Sequence, residues 1–385
     1  MQRQFADRLD GITGSAIREI FKMLADPNII SFAGGNPDPS TFPKDALQEI
    51  SDELLRTQGA TVLQYGITEG WPALRESIAR MVGRRGIRAQ VENVLTLTGS
   101  SQGIDLLARI FLNPGDSVLV ESPTFLGALQ TFRTYQANLV PVEMDEEGIL
   151  MDELERKMAQ YSPKLLYIIP TFQNPSGRKL SLQRREKVAR LAEKYGVVVV
   201  EDDPYGDLRY EGEALPAIKS FDGVGQVVHL LSFSKIISPG LRVGAAVGAP
   251  DILAKMVICK QGADTHTSNL SQAMVDAYIR RGGLEQHIEQ VCVQYKEKRD
   301  VMLEKLDELG IVHTVPQGGL FIWCELERGK DAKEVLKDAV DRGVAFIPGT
   351  HFYAAGGYEN TFRLNFSNAT VEGIRRGMDL LAQCI

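Results

Sequence analysis

The chain has 385 residues, of which 44% are hydrophobic and 24% charged. These proportions are those of an ordinary folded protein and exclude a disordered, fibrous or membrane-embedded chain. Basic residues number 43 and acidic residues 50, a formal net charge of −7, which disfavours general nucleic-acid binding because that needs a basic surface.

In chain order, the pattern predicts a helix near Ser15–Leu24 and a Gly/Pro-rich segment, Ala33–Pro43. Short apolar strands are then expected at Val94–Thr98, Ser117–Glu121, Leu165–Pro170, Val197–Glu201 and Val227–Phe233. Val197–Val200 is four consecutive valines, the mark of a strand covered on both faces. Helical stretches lie between the strands. The clearest is Ser181–Tyr195, with Ser181 placed to cap it and Val188, Leu191 and Ala192 at helical spacing. This alternation predicts a mainly parallel sheet with helices on both faces, and ligands beyond the carboxyl ends of its strands. From about Leu284 the pattern changes. A long charged helix through Gln290–Leu309 precedes strands Leu320–Glu325 and Phe362–Phe366, which flank a helix near Ala332–Asp341. The expected organisation is an N-terminal arm over residues 1–45 that includes part of a small domain, a large domain over 46–283, and a small α+β domain over 284–385.

Cys259, Cys292, Cys324 and Cys384 form no CxxC pair, and the five histidines form no HExxH. Free thiols and no metal site are expected. The first residues, MQRQFADRLDG, lack the apolar core of a signal peptide, and no run approaches the ~20 apolar residues of a membrane span. A cytoplasmic protein without membrane contact is therefore expected.

The residues that follow the strands carry the chemistry. Thr98-Gly-Ser-Ser-Gln-Gly103 leads into an apolar helix, where exposed backbone N–H groups favour an anion, and Ser100, Ser101 and Gln102 add donors. The same residues also suit an ordinary capped helix start. Asp202-Asp203-Pro204-Tyr205 leaves a buried strand, so its carboxylates could bind a metal, cap a helix or pair with a cationic ligand atom. Lys235 lies in Ser232-Phe233-Ser234-Lys235, at the end of an apolar strand where desolvation lowers an amine pKa, as imine formation requires. The nearby serines and Arg242 could hold a phosphate.

Seven short motifs, in order, resemble the fold-type I, pyridoxal-phosphate-dependent aminotransferases of class I/II. They are Tyr65-Gly66-Ile67-Thr68-Glu69-Gly70, Thr98–Gly103, Glu121-Ser122-Pro123-Thr124-Phe125, Gln173-Asn174-Pro175-Ser176-Gly177, Asp202–Tyr205, Ser232–Gly244 and Phe362-Arg363-Leu364. Ser31-Phe32-Ala33-Gly34-Gly35-Asn36-Pro37 and Lys260-Gln261-Gly262-Ala263-Asp264 are closest to the 2-aminoadipate and kynurenine-type branch. The resemblance implies an α/β fold, with a large domain built on a mainly parallel seven-stranded sheet plus a smaller α+β domain. It implies pyridoxal 5'-phosphate as cofactor, and transfer of an amino group from an L-amino acid to a 2-oxo acid such as 2-oxoglutarate.

The resemblance also assigns roles. Lys235 would carry the cofactor as an imine and later move the proton. Asp202 would pair with the pyridine nitrogen, Tyr205 and Asn174 would bind the ring oxygen, and Phe125 would stack on the ring. Ser100, Ser101, Gln102, Ser232, Ser234 and Arg242 would hold the phosphate. Tyr65 would reach the phosphate of the neighbouring subunit, which implies a homodimer with shared active sites. Arg363 would grip the substrate α-carboxylate, with Asn174 and Gly35 beside the substrate.

Arg18 lies in a short amphipathic stretch, and in this branch an arginine at that place can reach a distal substrate carboxylate. A tyrosine common at the stacking position is Phe125 here, and a leucine common after the two glycines is Asn36. These departures leave glutamate, 2-aminoadipate, aromatic and aliphatic donors open. Two further readings share the fold family: a β-lyase or decarboxylase, and a ligand-sensing regulator. For the regulator, the roughly 30 residues before Ala33 are too few for a winged helix-turn-helix. A nicotinamide dehydrogenase is disfavoured because no GxGxxG follows the first strand.

Overall fold

The computed structural model describes residues 5–9 and 28–385. Its larger sheet orders the strands Val94–Leu97, Gly244–Val247, Val227–Ser232, Val198–Asp203, Leu165–Ile168, Ser117–Ser122, Asn138–Asp145 and Gly148–Ile149 across the sheet. Pairing is parallel from Val227–Ser232 through Asn138–Asp145. Gly244–Val247 runs antiparallel to both neighbours, and Gly148–Ile149 antiparallel to Asn138–Asp145.

The sheet therefore has one strand more than the seven expected. The eighth is a two-residue strand that forms because the chain turns at Glu146-Glu147 and folds back on the sheet edge. Asn138–Asp145 escapes the apolar-run pattern because one of its faces is only partly covered. Gly244–Val247 escapes it because the strand is only four small residues long.

The apolar runs are explained by two cores on opposite faces of the sheet. Val118, Val120, Leu165, Tyr167, Val198 and Val200 point to one core. Leu119, Leu166, Ile168, Val197 and Val199 point to the other. With side chains alternating along a strand, double coverage demands apolar residues at every position.

The helix predicted from Ser181 spans Leu182–Tyr195. Ser181 holds the N-cap position but makes no capping hydrogen bond, and its hydroxyl is buried without a partner. The chain entering this helix is tied by backbone instead, Leu180 N–H to Pro170 O and Ser181 N–H to Glu147 O. The long charged helix is longer than expected, Gly283–Glu308, and packs against Val371–Leu381.

A smaller antiparallel sheet orders Val312–His313, Phe321–Glu325, Thr361–Asn365 and Ile347–Pro348. Residues near the N-terminus join this part of the chain. Ile30–Ser31 pairs in parallel with Val344–Ala345, and Asn365 N–H donates to Phe32 O. The segment from Ala33 to Asn36 is thereby drawn over the carboxyl edge of the large sheet, between Lys235 and Arg363. The helix expected near Ser15–Leu24, and Arg18 within it, lie outside the described residues.

Candidate active site

Five loops leave the large sheet on one edge and enclose a cavity of about 380 Å³. The parallel strands from Ser117–Ser122 to Val227–Ser232 end there, as does Val94–Leu97, while Gly244–Val247 begins there.

The anion-binding candidates follow Val94–Leu97. The helix Ser100–Phe111 starts at the cavity wall, and its first N–H groups have no partner within the helix. Gly99, with φ +81°, turns the chain into this helix. A Cβ there would collide with the Arg242 guanidinium, so only glycine lets the arginine lie against the turn. Arg242 Nη2 donates to Thr98 O at 3.2 Å, and its Nη1 approaches Ser234 Oγ at 3.5 Å. Ser100, Ser101, Ser232, Ser234 and Arg242 all line the cavity.

Gln102, expected at the phosphate, is not among the residues that line the cavity. Its side chain is turned behind the turn, where Oε1 accepts from Thr98 N–H and from Lys260 Nζ, and Nε2 donates to Asp264. Its backbone N–H is spent on Gly99 O. The reason is helical geometry: one turn beyond Gly99, residue 102 faces the helix flank that packs on the Lys260–Thr267 segment.

Asp202 and Asp203 separate because neighbouring residues of a strand point to opposite sides. Asp203 faces away from the cavity. It accepts the Gly206 N–H at 3.0 Å and lies 3.4 Å from Arg85. Asp202 lines the cavity, fully buried. Its Oδ2 accepts from Tyr167 Oη at 2.8 Å, while Oδ1 accepts nothing. Burial pushes the Asp202 pKa up to about 6, against the lowering effect of the Tyr167 hydroxyl. A buried carboxylate with one free oxygen at a cavity wall is built for a ligand hydrogen-bond donor. Tyr167 is the residue the sequence reading missed. Its signal was faint, a single hydroxyl in the apolar run Leu165–Ile168.

Opposite Asp202, Lys235 Nζ donates to Gly35 O at 2.8 Å. Desolvation, with help from Arg242 and Arg363, lowers the Lys235 pKa to about 8. The amine is thus far richer in its neutral, nucleophilic form at neutral pH than an ordinary lysine.

Arg363 lies on Thr361–Asn365, buried, its guanidinium between the rings of Phe321 and Phe352 at 4.1 and 4.9 Å. Nη1 donates to Asn174 Oδ1 at 2.8 Å and Nη2 to Ala33 O at 2.6 Å, while Nε has no partner. Burial depresses its pKa to about 10. Among the described residues no carboxylate lies within ion-pair distance of this cation, and a buried charge without a counterion is costly.

Asn174 Nδ2 donates in turn to Tyr205 Oη at 3.4 Å, and burial raises the Tyr205 pKa. Gln173 fixes Asn174 from behind through bonds to Glu121 and Pro123 O. Phe125 forms a further wall, and a side chain at Gly127 would run into its ring. Gly35 and Asn36 complete the mouth of the cavity, together with Gln130, which the sequence reading did not single out.

Tyr65 is not part of this cavity. It is largely exposed on the surface, its ring edge-on to His266 at 5.9 Å. Its loop is held by Gly66 N–H to His266 Nε2 and by Asn269 Nδ2 to Gln64 O.

An amine, a free carboxylate oxygen, an anion-binding turn and an aromatic wall around one cavity have the chemistry that pyridoxal phosphate needs. The fold and site define a fold-type I enzyme dependent on that cofactor. Comparison with known proteins identifies the family. The family model described as aminotransferase class I and II matches residues 27–381. An aromatic-amino-acid aminotransferase of Thermococcus litoralis is 40% identical, with 100% of this chain and 94% of the relative aligned. A 2-aminoadipate transaminase of Thermus thermophilus is 41% identical, with 97% of this chain and 94% of the relative aligned. The crystal structure of a multiple substrate aminotransferase from Thermococcus profundus superposes with a TM-score of 0.94 at 40% identity, covering 99% of this chain and 97% of that one.

The chain belongs to the class I and II aminotransferases. It is a pyridoxal-phosphate-dependent transaminase. Among the described residues, no helix is long and apolar enough to cross a membrane.

Proposed function

We propose that the chain moves the amino group of several L-amino acids, glutamate and 2-aminoadipate with aromatic or aliphatic donors among them, to 2-oxoglutarate. The breadth rests on relatives named for aromatic amino acids, for 2-aminoadipate and for multiple substrates. One observation carries the assignment of the site. Two groups without a counterion or a full set of partners, Arg363 and Asp202, face the same cavity as an amine of lowered pKa.

The bound cofactor supplies an electron sink conjugated to the amino acid Cα. The protein residues do the rest. Arg363 binds the substrate α-carboxylate with two parallel N–H donors, which gives the buried cation its missing anion. This anchors Cα so that its hydrogen faces Lys235, whose neutral amine takes that proton and returns it elsewhere. Asp202, held in place by Tyr167, would use its free Oδ1 to keep the cofactor's pyridine nitrogen protonated. Asn174 bridges Arg363 and Tyr205, and with Tyr205 it would hold the cofactor's ring oxygen. Phe125 would pack on the ring face. Ser100, Ser101, Ser232, Ser234 and Arg242 would hold the phosphate.

The proposal extends to a cytoplasmic homodimer in which Tyr65 completes the phosphate site of the neighbouring subunit. Its exposure on a loop braced by His266 supports that role. The division into an arm with part of the small domain at 1–45, a large domain at 46–283 and a small domain at 284–385 belongs to the same reading. The pairing of Ile30–Ser31 with Val344–Ala345 supports counting the arm with the small domain.

The test is a half-reaction panel with single amino acids and no acceptor, following conversion of the cofactor from its pyridoxal to its pyridoxamine form. Rapid conversion by both acidic and aromatic donors is expected. Conversion by one class alone removes the breadth, and conversion by none removes the site assignment.

Arg18 is the proposed partner of the distal carboxylate. Arg18→Ala should raise KM for glutamate and 2-aminoadipate by about tenfold, the worth of one charge-assisted hydrogen bond, and leave aromatic donors within twofold. Equal changes for both classes would remove Arg18 from the site.

A further inference from the structure

Behind the anion-binding turn, on the side away from the cavity, lies an ion pair whose lysine is buried and whose aspartate is partly exposed. Lys260 is fully buried, at the end of the helix Pro250–Gln261. Its Nζ donates to Asp264 Oδ1 at 2.9 Å, Asp264 Oδ2 at 3.0 Å, Gln102 Oε1 at 2.7 Å and Thr267 Oγ1 at 3.0 Å. Asp264 Oδ2 also accepts from Thr98 Oγ1 at 2.6 Å and from Gln102 Nε2 at 2.8 Å.

The result at Thr98 is unusual for a loop residue, because both its N–H and its hydroxyl are spent on this cluster. The N–H donates to Gln102 Oε1 at 2.9 Å and the hydroxyl to Asp264. Its carbonyl is taken from the cavity side by Arg242. Thr98 is thus clamped between the Lys260–Asp264 ion pair on one side and the proposed phosphate-binding arginine on the other. Immediately after it, Gly99 turns the chain, and Ser100 and Ser101 open the helix at the cavity wall.

Stability alone gives little reason for such a cluster. Burying the Lys260 ammonium costs desolvation, and Asp264, with 27% of its side chain exposed, shares its charge with solvent, so the pair returns little net stability. What the pair supplies is geometry, through six hydrogen bonds around Lys260 Nζ and Asp264, two of which fasten Gln102 and one Thr98 at the turn.

We infer that Lys260 and Asp264 are positioning residues for the cofactor phosphate. They hold Thr98 so that the helix start and Arg242 converge on one anion. The inference rests on the reading that the turn at Thr98–Ser101 and Arg242 form the phosphate site, and it assigns that site its rigid support. Neither residue touches the cavity. They reach the turn through Thr98 and Gln102.

The test compares binding of pyridoxal phosphate and of pyridoxal, which lacks the phosphate, to the full-length cofactor-free protein by absorbance titration. Asp264→Asn and Thr98→Val change few atoms, and Thr98→Val leaves the ion pair whole. Each should raise Kd for pyridoxal phosphate by about tenfold, the worth of a hydrogen bond to a charged group, and leave Kd for pyridoxal within twofold.

Arg242→Met serves as the reference for the phosphate site. If it weakens pyridoxal phosphate selectively and the other two variants do not, Lys260 and Asp264 are structural only and the inference falls. If Asp264→Asn and Thr98→Val weaken both ligands equally, the effect is general loosening and the inference also falls. If Arg242→Met itself shows no phosphate selectivity, the phosphate-site reading fails first and takes the inference with it.

Discussion

Replacing Lys235 with alanine abolishes borohydride-stable attachment of the cofactor and slows the half-reaction by about 10⁴, the upper range for a positioned proton-transfer group. The expectation follows from where the amine sits. Nζ is held at 2.8 Å from Gly35 O, among cations rather than carboxylates, with its pKa lowered to about 8. Wild-type protein should therefore take up pyridoxal phosphate with a rate that rises with pH and reaches its half-maximum near 8, as the amine loses its proton. An ordinary lysine would place that midpoint near 10.5. A Lys235→Ala protein that keeps the half-reaction within tenfold of wild type would show that another group moves the proton.

Asp202→Asn should have opposite effects on activity and on the stability of the cofactor-free protein. The pKa of Asp202 is raised in the folded chain, from 3.8 to about 6, chiefly by burial. The folded state therefore holds this proton more tightly than the unfolded state. Stability contributed by the group is present below pH 3.8 and is lost as pH rises to about 6. At pH 7.5 the ionised carboxylate costs the cofactor-free fold about 3 kcal/mol, an order-of-magnitude figure from the size of the shift. Asparagine carries no such charge and can keep the acceptor for Tyr167. The variant should melt several degrees higher than wild type without cofactor at pH 7.5, with the difference vanishing towards pH 4. With cofactor the order reverses, because the carboxylate has then found its cationic partner, and the half-reaction falls by about 10² or more. A cofactor-free variant that melts lower than wild type at pH 7.5 would show that the Asp202 charge is already satisfied within the protein.

The sequence was informative where chemistry depends on residue type and local order. Doubly covered strands must be apolar at every position, so Val197–Val200 and its neighbours were readable, and so was the rule that function follows their carboxyl ends. Gly99 was readable as part of a helix start, and the structure adds why it is glycine, since a Cβ there would strike Arg242. Short or half-covered strands lacked a pattern, which is why Gly148–Ile149, Asn138–Asp145 and Gly244–Val247 went unseen. Gln102 shows the same limit within the site. Its amide suits a phosphate contact, but direction along a helix is set by phase, and the phase turned it to Lys260 and Asp264.

By itself, then, the sequence determined which groups the protein could use: an amine after an apolar strand, a carboxylate leaving a buried one, and an arginine in the small sheet. Only the tertiary structure decided which of them are free. Asp203 is consumed by Gly206 N–H and Arg85, while Asp202 beside it keeps an oxygen unpaired, because alternate strand residues face opposite sides. Arg363 lacks a counterion because the chain that folds over it, from Ala33 to Asn36, offers carbonyls and amides rather than carboxylates. Whether a charge has a partner depends on residues far away in sequence, 330 positions apart for Arg363 and Ala33. No local pattern records that distance.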